Sequence, residues 1–328
     1  MANKTVTVKP AGGNYTTLAG AIAGELVANA DLTAMAGILN IEIGGTWSSS
    51  DTTAVTVNGF TTSAAYYVNI YTDAANRSGA SEFSTAKYNL APAIASGISI
   101  QDNYVRINGI QIKIAAGASG ITFANIDFTS LAYIDNCRIY KSIDPGAGAT
   151  YGIFIGDTSC FVKVWNCIIY GFAGTNNTSS AIYCGGFDVA IFNSTLYGNY
   201  NGIKQANNTA LAKNCAVFNN TDDFSGTITI DYCASDDNDE THNIAESSAD
   251  ANWTADFAAS ATGNLTLLAT SNLVGAALDD PGSGLFLDDI EGNTRTDWDV
   301  GAYEYSASGY NLAIQSFCSR PNSMRRAG

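Results

Sequence analysis

Between residues 97 and 220 the chain repeats an alternation of apolar and polar positions that is interrupted once in every repeat. Five segments open on a Gly-Ile-like step: Gly97-Ile98, Gly120-Ile121, Gly152-Ile153, Ala181-Ile182 and Gly202-Ile203. Each is followed by a second stretch: YVRINGIQIK, AYIDNCRIYK, VKVWNCIIYG, VAIFNSTLYG and ALAKNCAVFN. The starts lie 23, 32, 29 and 21 residues apart, so loop length varies while the strand pair is kept. A period of 20 to 50 residues is the signature of stacked repeats.

Aligned, the second stretches give columns with a period of two, the mark of a strand with one face buried. Val105, Ala132, Val162, Val189 and Ala210 form one column, and Ile107, Ile134, Val164, Ile191 and Ala212 the next inward one. After a break of one residue the inward phase resumes with Ile110, Cys137, Cys167, Ser194 and Cys215, then Ile112, Ile139, Ile169, Leu196 and Val217. The break holds Gly109, Asn136, Asn166, Asn193 and Asn214. Gly and Asn are the residues that accept a left-handed backbone, and stacked Asn side chains can bond from coil to coil. A 3.6-residue period cannot produce this pattern. It predicts a right-handed parallel β-helix, a solenoid of short strands around a narrow apolar core, with coils rising about 4.8 Å each.

Such a core needs capped ends. Thr5 to Tyr15 predicts a strand and turn, and Thr17 to Asn29 a short amphipathic helix with Leu18, Ile22 and Leu26 on one face. ILNIEIGG, AVTVNGF and YYVNIYT supply the first coils, and TITIDYC (Thr227 to Cys233) begins a further repeat. The resulting division is 1–50, N-terminal strand and capping helix; 51–235, β-helix coils; 236–305, acidic loops and closing strands; 306–328, a C-terminal tail or arm.

Composition agrees with a turn-rich all-β chain. Of 328 residues, 46% are hydrophobic and only 14% charged, with 32 Gly. The net charge of −15 is concentrated: residues 222–299 carry 17 acidic residues and one basic residue, Arg295. The coils are close to neutral, which argues against nucleic acid or anionic membranes as partners. No secretory signal or long apolar run is evident, so the expectation is synthesis in a cytoplasm without a signal peptide. The seven cysteines form no C-x(2–4)-C pair and His242 is the one histidine; the thiols are expected to be free and buried, with no metal and no cofactor.

The columns, the Asn ladder and the N-terminal helix resemble the pectin-lyase-like right-handed parallel β-helix superfamily over roughly residues 1–235. DDIEGNTRTDWDVGAYE (Asp288 to Glu304) is similar to the D-I-x-G-x-x-R…D-[IV]-G-A-x-E ending of many β-helix proteins of bacterial surfaces and phages. The part implied for it is structural, with Arg295 paired to Asp299 or Asp289, and Val300 and Tyr303 closing the last coil. DTTAVTVNGFTTSAAYYVNIYT also resembles segments of phage and prophage β-helix proteins.

Enzymes of that superfamily mostly cleave acidic polysaccharides with carboxylate clusters, often with calcium and an Arg or Lys base. The best acid–base pair here is Asp135 with Lys163, for which a surface ion pair is the plainer reading. His242 lies outside the repeats. Asp236, Asp237, Asp239 and Glu240 lack the order of a calcium loop, and a solvated acidic loop explains them. The outward face is more distinctive. Trp165, Phe192, Ile168 and Leu211 point out, and Tyr140, Tyr170, Tyr197 and Phe218 form an outward column. So much apolar area asks for a cover: the loops Ser142 to Thr150 and Gly171 to Ser180, a second subunit, or a glycan on an aromatic platform.

The expectation is therefore a structural virion protein of a bacteriophage, not an enzyme: a homotrimeric capsid decoration (cement) protein or a compact fibre or spike. Its partners would be itself, a phage capsid or tail protein, and possible host surface polysaccharide, with Trp165, Phe192, Tyr140, Tyr170, Tyr197 and Phe218 as the contact surface. The length favours decoration over a full tailspike. The alternatives are a polysaccharide lyase or glycoside hydrolase on the same scaffold, and a bacterial surface adhesin reached by a separate export route.

Overall fold

The computed structural model describes residues 3–93, 95–115, 117–124, 130–142, 148–156, 160–186, 188–237 and 255–306. Among these the strands stack into three parallel sheets of nine, six and seven members. One full coil runs from Ile98–Ile100 in the seven-stranded sheet to Val105–Asn108 in the nine-stranded sheet and Gln111–Ile114 in the six-stranded sheet, before Ile121–Phe123 starts the next. This is a parallel β-helix. No described helix is long and apolar enough to cross a membrane.

The inward columns are in register as the alternation predicts. Ala132 pairs with Val162, Val162 with Val189 and Val189 with Ala210; Ile139 pairs with Ile112 and Ile169. Ile134, Val164 and Ile191 are wholly buried in one continuous core with Cys137, Cys167 and Cys215. At roughly 1.5–3 kcal/mol for each fully buried aliphatic, the shaft is the main stabilising term.

The residue breaking the alternation is where the chain passes from the nine-stranded to the six-stranded sheet. Asn136, Asn166, Asn193 and Asn214 all have positive φ, from 39° to 56°. Asn tolerates this backbone because its short side chain bonds locally. Gly97 and Gly152 open repeats for a different reason. A Cβ on Gly97 would lie 2.6 Å from the carbonyl oxygen of Gly120 in the next coil, and one on Gly152 would lie 2.5 Å from that of Ala181.

The N-terminal cap is a helix at Leu18–Asn29, begun by Thr17, whose side chain accepts a bond from the Gly20 amide. Leu18 and Ile22 are buried and Leu26 packs partly against the core. Glu25, also buried, is held by Lys4, Tyr15 and Asn29. Leu39–Ile43, Val55–Val57 and Val68–Thr72 are the first coil strands, and Ile228–Asp231 extends the nine-stranded sheet past Thr209–Lys213. Six cysteines are free and buried; Cys318 lies outside the described residues.

The acidic C-terminal region departs from the expectation that it closes the last coil. Residues 255–306 run back along the barrel and lie on its outer faces. Val300 and Ala302 pack with Ile168, Tyr170, Tyr197, Ala216 and Phe218, across several coils and not over the last one alone. Arg295 is paired to Glu304 at 3.2 Å, where Asp299 or Asp289 was expected. Asp299 instead accepts bonds from the amides of Gly275 and Tyr305, and Asp289 from those of Glu291, Asn293 and Glu304. Glu304 accepts from the amides of Thr296, Asp297 and Asp299 and also meets the guanidinium.

Candidate functional site

The Asn ladder fixes this C-terminal clasp. Asn166 donates to the Asp288 carbonyl at 2.7 Å, Asn193 to that of Asp299 at 3.0 Å and Asn214 to that of Leu278 at 2.8 Å. The same side chains bond along the stack, Asn166 to Asn136 and Asn214 to Asn193, each at 3.2 Å. Arg295 reaches Oδ1 of Asn166 at 3.0 Å. Three successive corners are thus anchors for the clasp, which lies over part of the outward columns.

Two groups of outward aromatics result. Trp165 and Phe192 lie under Phe286 and Trp298; the rings of Trp165 and Phe286 stack at 5.9 Å. These two are closed off by the chain itself, so they offer no surface to a partner. The cover is the segment around Leu285 and Trp298; residues 143–147, in one of the loops expected to serve as a cover, lie outside the described residues.

The second group forms a site. Pairing in the six-stranded sheet places Tyr140 beside Tyr170, Tyr170 beside Tyr197 and Tyr197 beside Phe218. Because successive coils are one strand spacing apart, the rings stack: 4.7 Å between Tyr140 and Tyr170, 4.8 Å to Tyr197, 5.4 Å to Phe218 and 5.1 Å on to Phe257 of the clasp. Stacking covers the ring faces, so a flat platform is not what the column presents. It presents ring edges. These line a cleft of about 630 Å³ whose remaining wall is Glu82, Phe83, Gly171, Gly198, Asn219, Ser260, Ala261 and Thr262.

Three of the four aromatics are followed by a residue of positive φ, Gly171 after Tyr170, Gly198 after Tyr197 and Asn219 after Phe218, which turns the chain away beside the cleft. The far wall is a turn between the antiparallel strands Phe257–Ala259 and Asn264–Leu267. Arg138, fully buried, ties the walls together, donating to the carbonyls of Gly79 at 2.7 Å and Gly263 at 3.0 Å. Burial raises the Tyr170 and Tyr197 phenols above their ordinary value, so they stay protonated donors at neutral pH. Glu82, Phe83 and Ser260 to Thr262 were not singled out in the sequence, since they lie outside the repeat; the turn at Gly263 in FAASATGNLTL was the available signal.

Asp135 and Lys163 do not pair. Register sets Lys163 opposite Tyr133 and Ala190, and Asp135 opposite Trp165. The Asp135 carboxyl accepts from the side-chain amides of Asn108 and Asn136, and burial pushes it up to about 8. Asp102 accepts from the amides of Gly59 and Phe60, a turn role. Asp236 and Asp237 accept from Asn219, Asp223 and Ser235. His242, Asp239 and Glu240 lie outside the described residues, as does the C-terminal tail from residue 307. Among the described residues no group of three or more His, Cys, Asp or Glu is placed to hold a metal ion.

The fold and cleft together define a clasped parallel β-helix with a ligand-sized groove along one outer sheet. No family model matches the chain, and no curated protein matches it. Among solved structures it is similar to the crystal structure of pectate lyase Pel9A, at 13% identity and a TM-score of 0.31, over 93% of this chain and 97% of that one. The β-helix itself is established by the strand register, independently of that likeness.

Proposed function

We propose that the protein is a glycan-binding structural component of a bacteriophage particle, a decoration protein or a compact fibre or spike acting as a homotrimer. The observation that carries the binding role is the tyrosine-edged cleft. Protonated phenols repeat along it at the coil spacing, with Ser260, Thr262, Asn219 and the Glu82 carboxylate around them, a donor and acceptor set suited to a polyol running along the axis. The phage setting is supported by the resemblance of the stretch from Asp51 to Thr72. For self-contact, Tyr151, Phe154 and Tyr183 offer a partly exposed aromatic cluster on the seven-stranded sheet.

The test is binding to a panel of bacterial surface glycans by the whole chain and by Tyr170→Phe/Tyr197→Phe, which keeps the stack and removes two hydroxyls. Binding by the parent that falls about tenfold in the variant supports the reading. A parent that binds no glycan on the panel defeats the glycan role. Sedimentation showing a monomer of 34.2 kDa, with no affinity for phage heads or tails, defeats the trimeric virion role.

A further inference from the structure

The outer face of the nine-stranded sheet carries a second concavity, of about 330 Å³, walled by Ala64, Tyr67, Tyr104, Arg106, Leu131 and Tyr133. Arg106 is at its centre. Its guanidinium carbon lies 3.9 Å from the centroid of the Tyr67 ring and 4.7 Å from that of Tyr133, its neighbour in register. Rings packed against a planar guanidinium hold its plane and leave its N–H edges to donate.

The charge of Arg106 acts on the Asp135 carboxyl, and among the described residues no carboxylate forms an ion pair with it. The Asp135 carboxyl, one coil on, is engaged by Asn108 and Asn136 and holds its proton up to about pH 8. One coil beyond Tyr133, in register with it, stands Lys163. A chain of net charge −15 therefore has two cations flanking a tyrosine on this one face. Tyr104 has a φ of 53°, a left-handed backbone that bulky residues rarely adopt and that clusters at ligand clamps.

We propose that this pocket binds a carboxylate carried on a ring, the carboxylate taken by the N–H edges of Arg106 and the ring lying against Tyr104 and Leu131. The fork of a guanidinium matches the two oxygens of a carboxylate, and the flanking walls are aromatic and aliphatic. An acidic sugar and an aromatic acid share this chemistry. The site stands apart from the tyrosine cleft and does not depend on the glycan reading.

The experiment is an NMR titration of the whole chain, following the methyls of Leu131 and Ala64, with benzoate, glucuronate and inorganic phosphate in separate arms. At least one ring acid should shift both methyls, with affinity falling as salt is added. Arg106→Gln should weaken that binding about tenfold or more. Tyr104→Gly suits the positive φ, so folding is preserved; it should weaken the ring acid while leaving phosphate unchanged. Which ring acid binds separates the two sources. Failure of both to move the methyls, equal binding by Arg106→Gln, or equal loss of phosphate and ring acid in Tyr104→Gly each overturns the proposal.

Discussion

The Arg295 guanidinium has no solvent exposure, and it meets the Glu304 carboxylate, the carbonyls of Asp288, Asp299 and Gly301, and the side chain of Asn166. Removing one partner of a buried pair leaves the other charge uncompensated, at a cost of about 3–5 kcal/mol. Arg295→Ala should lose about that much in urea unfolding, and Arg295→Lys should recover little, since an ammonium cannot span these acceptors. Asp135 gives a pH signature. Its folded carboxyl holds a proton to about pH 8, while the unfolded chain releases it near the ordinary carboxylate value of 3.8. The folded state binds the extra proton between those values, so this contribution to stability is full below the lower one and is lost as pH rises through the upper. Unfolding midpoints should fall between about pH 5 and about pH 9, and Asp135→Asn should flatten the slope. An unchanged slope would assign the effect elsewhere, Asp223 being the first alternative because it too is pushed up to about 8, mainly by burial.

At the scale of elements, the corner Asn does three things at once. Asn166 adopts a φ of 50°, bonds to Asn136 in the neighbouring coil, and holds both Asp288 and Arg295 of the clasp. Asn166→Gly keeps the backbone and loses the bonds; Asn166→Ala loses both. Thermal unfolding should therefore rank alanine below glycine by about 1 kcal/mol, with both well below the parent. Equal losses would mean that the bonds alone matter. Alternation made the strands and the Asn corner legible, because a period of two with one residue inserted has few other realisations. The need for glycine at positions 97 and 152 was not legible as a cause. It comes from a carbonyl more than twenty residues on, in the next coil.

For the whole molecule, the clasp couples regions distant in sequence. Arg77 bonds to Asp288, Asp289 and Ile290, Arg138 joins Gly79 to Gly263, and Gly301 donates to the carbonyl of Asn214. A solenoid without such ties can unfold coil by coil. With them, a single urea transition is expected, in which tryptophan fluorescence from the Trp165 and Trp298 cluster coincides with far-UV circular dichroism. Fluorescence changing first would show that the clasp opens on its own. The outward columns were legible as apolar and in need of a cover, but their fate was not. A repeat specifies what each coil presents to the next, since the strand spacing and the side-chain alternation are local rules. The sequence by itself therefore determined the coil, its core columns and its corner. Tertiary structure alone decided which aromatics are sealed beneath Phe286 and Trp298, which line a cleft, and that Glu304 meets Arg295. Those outcomes depend on how a non-repeating segment lies across several coils, a geometry that no periodicity encodes.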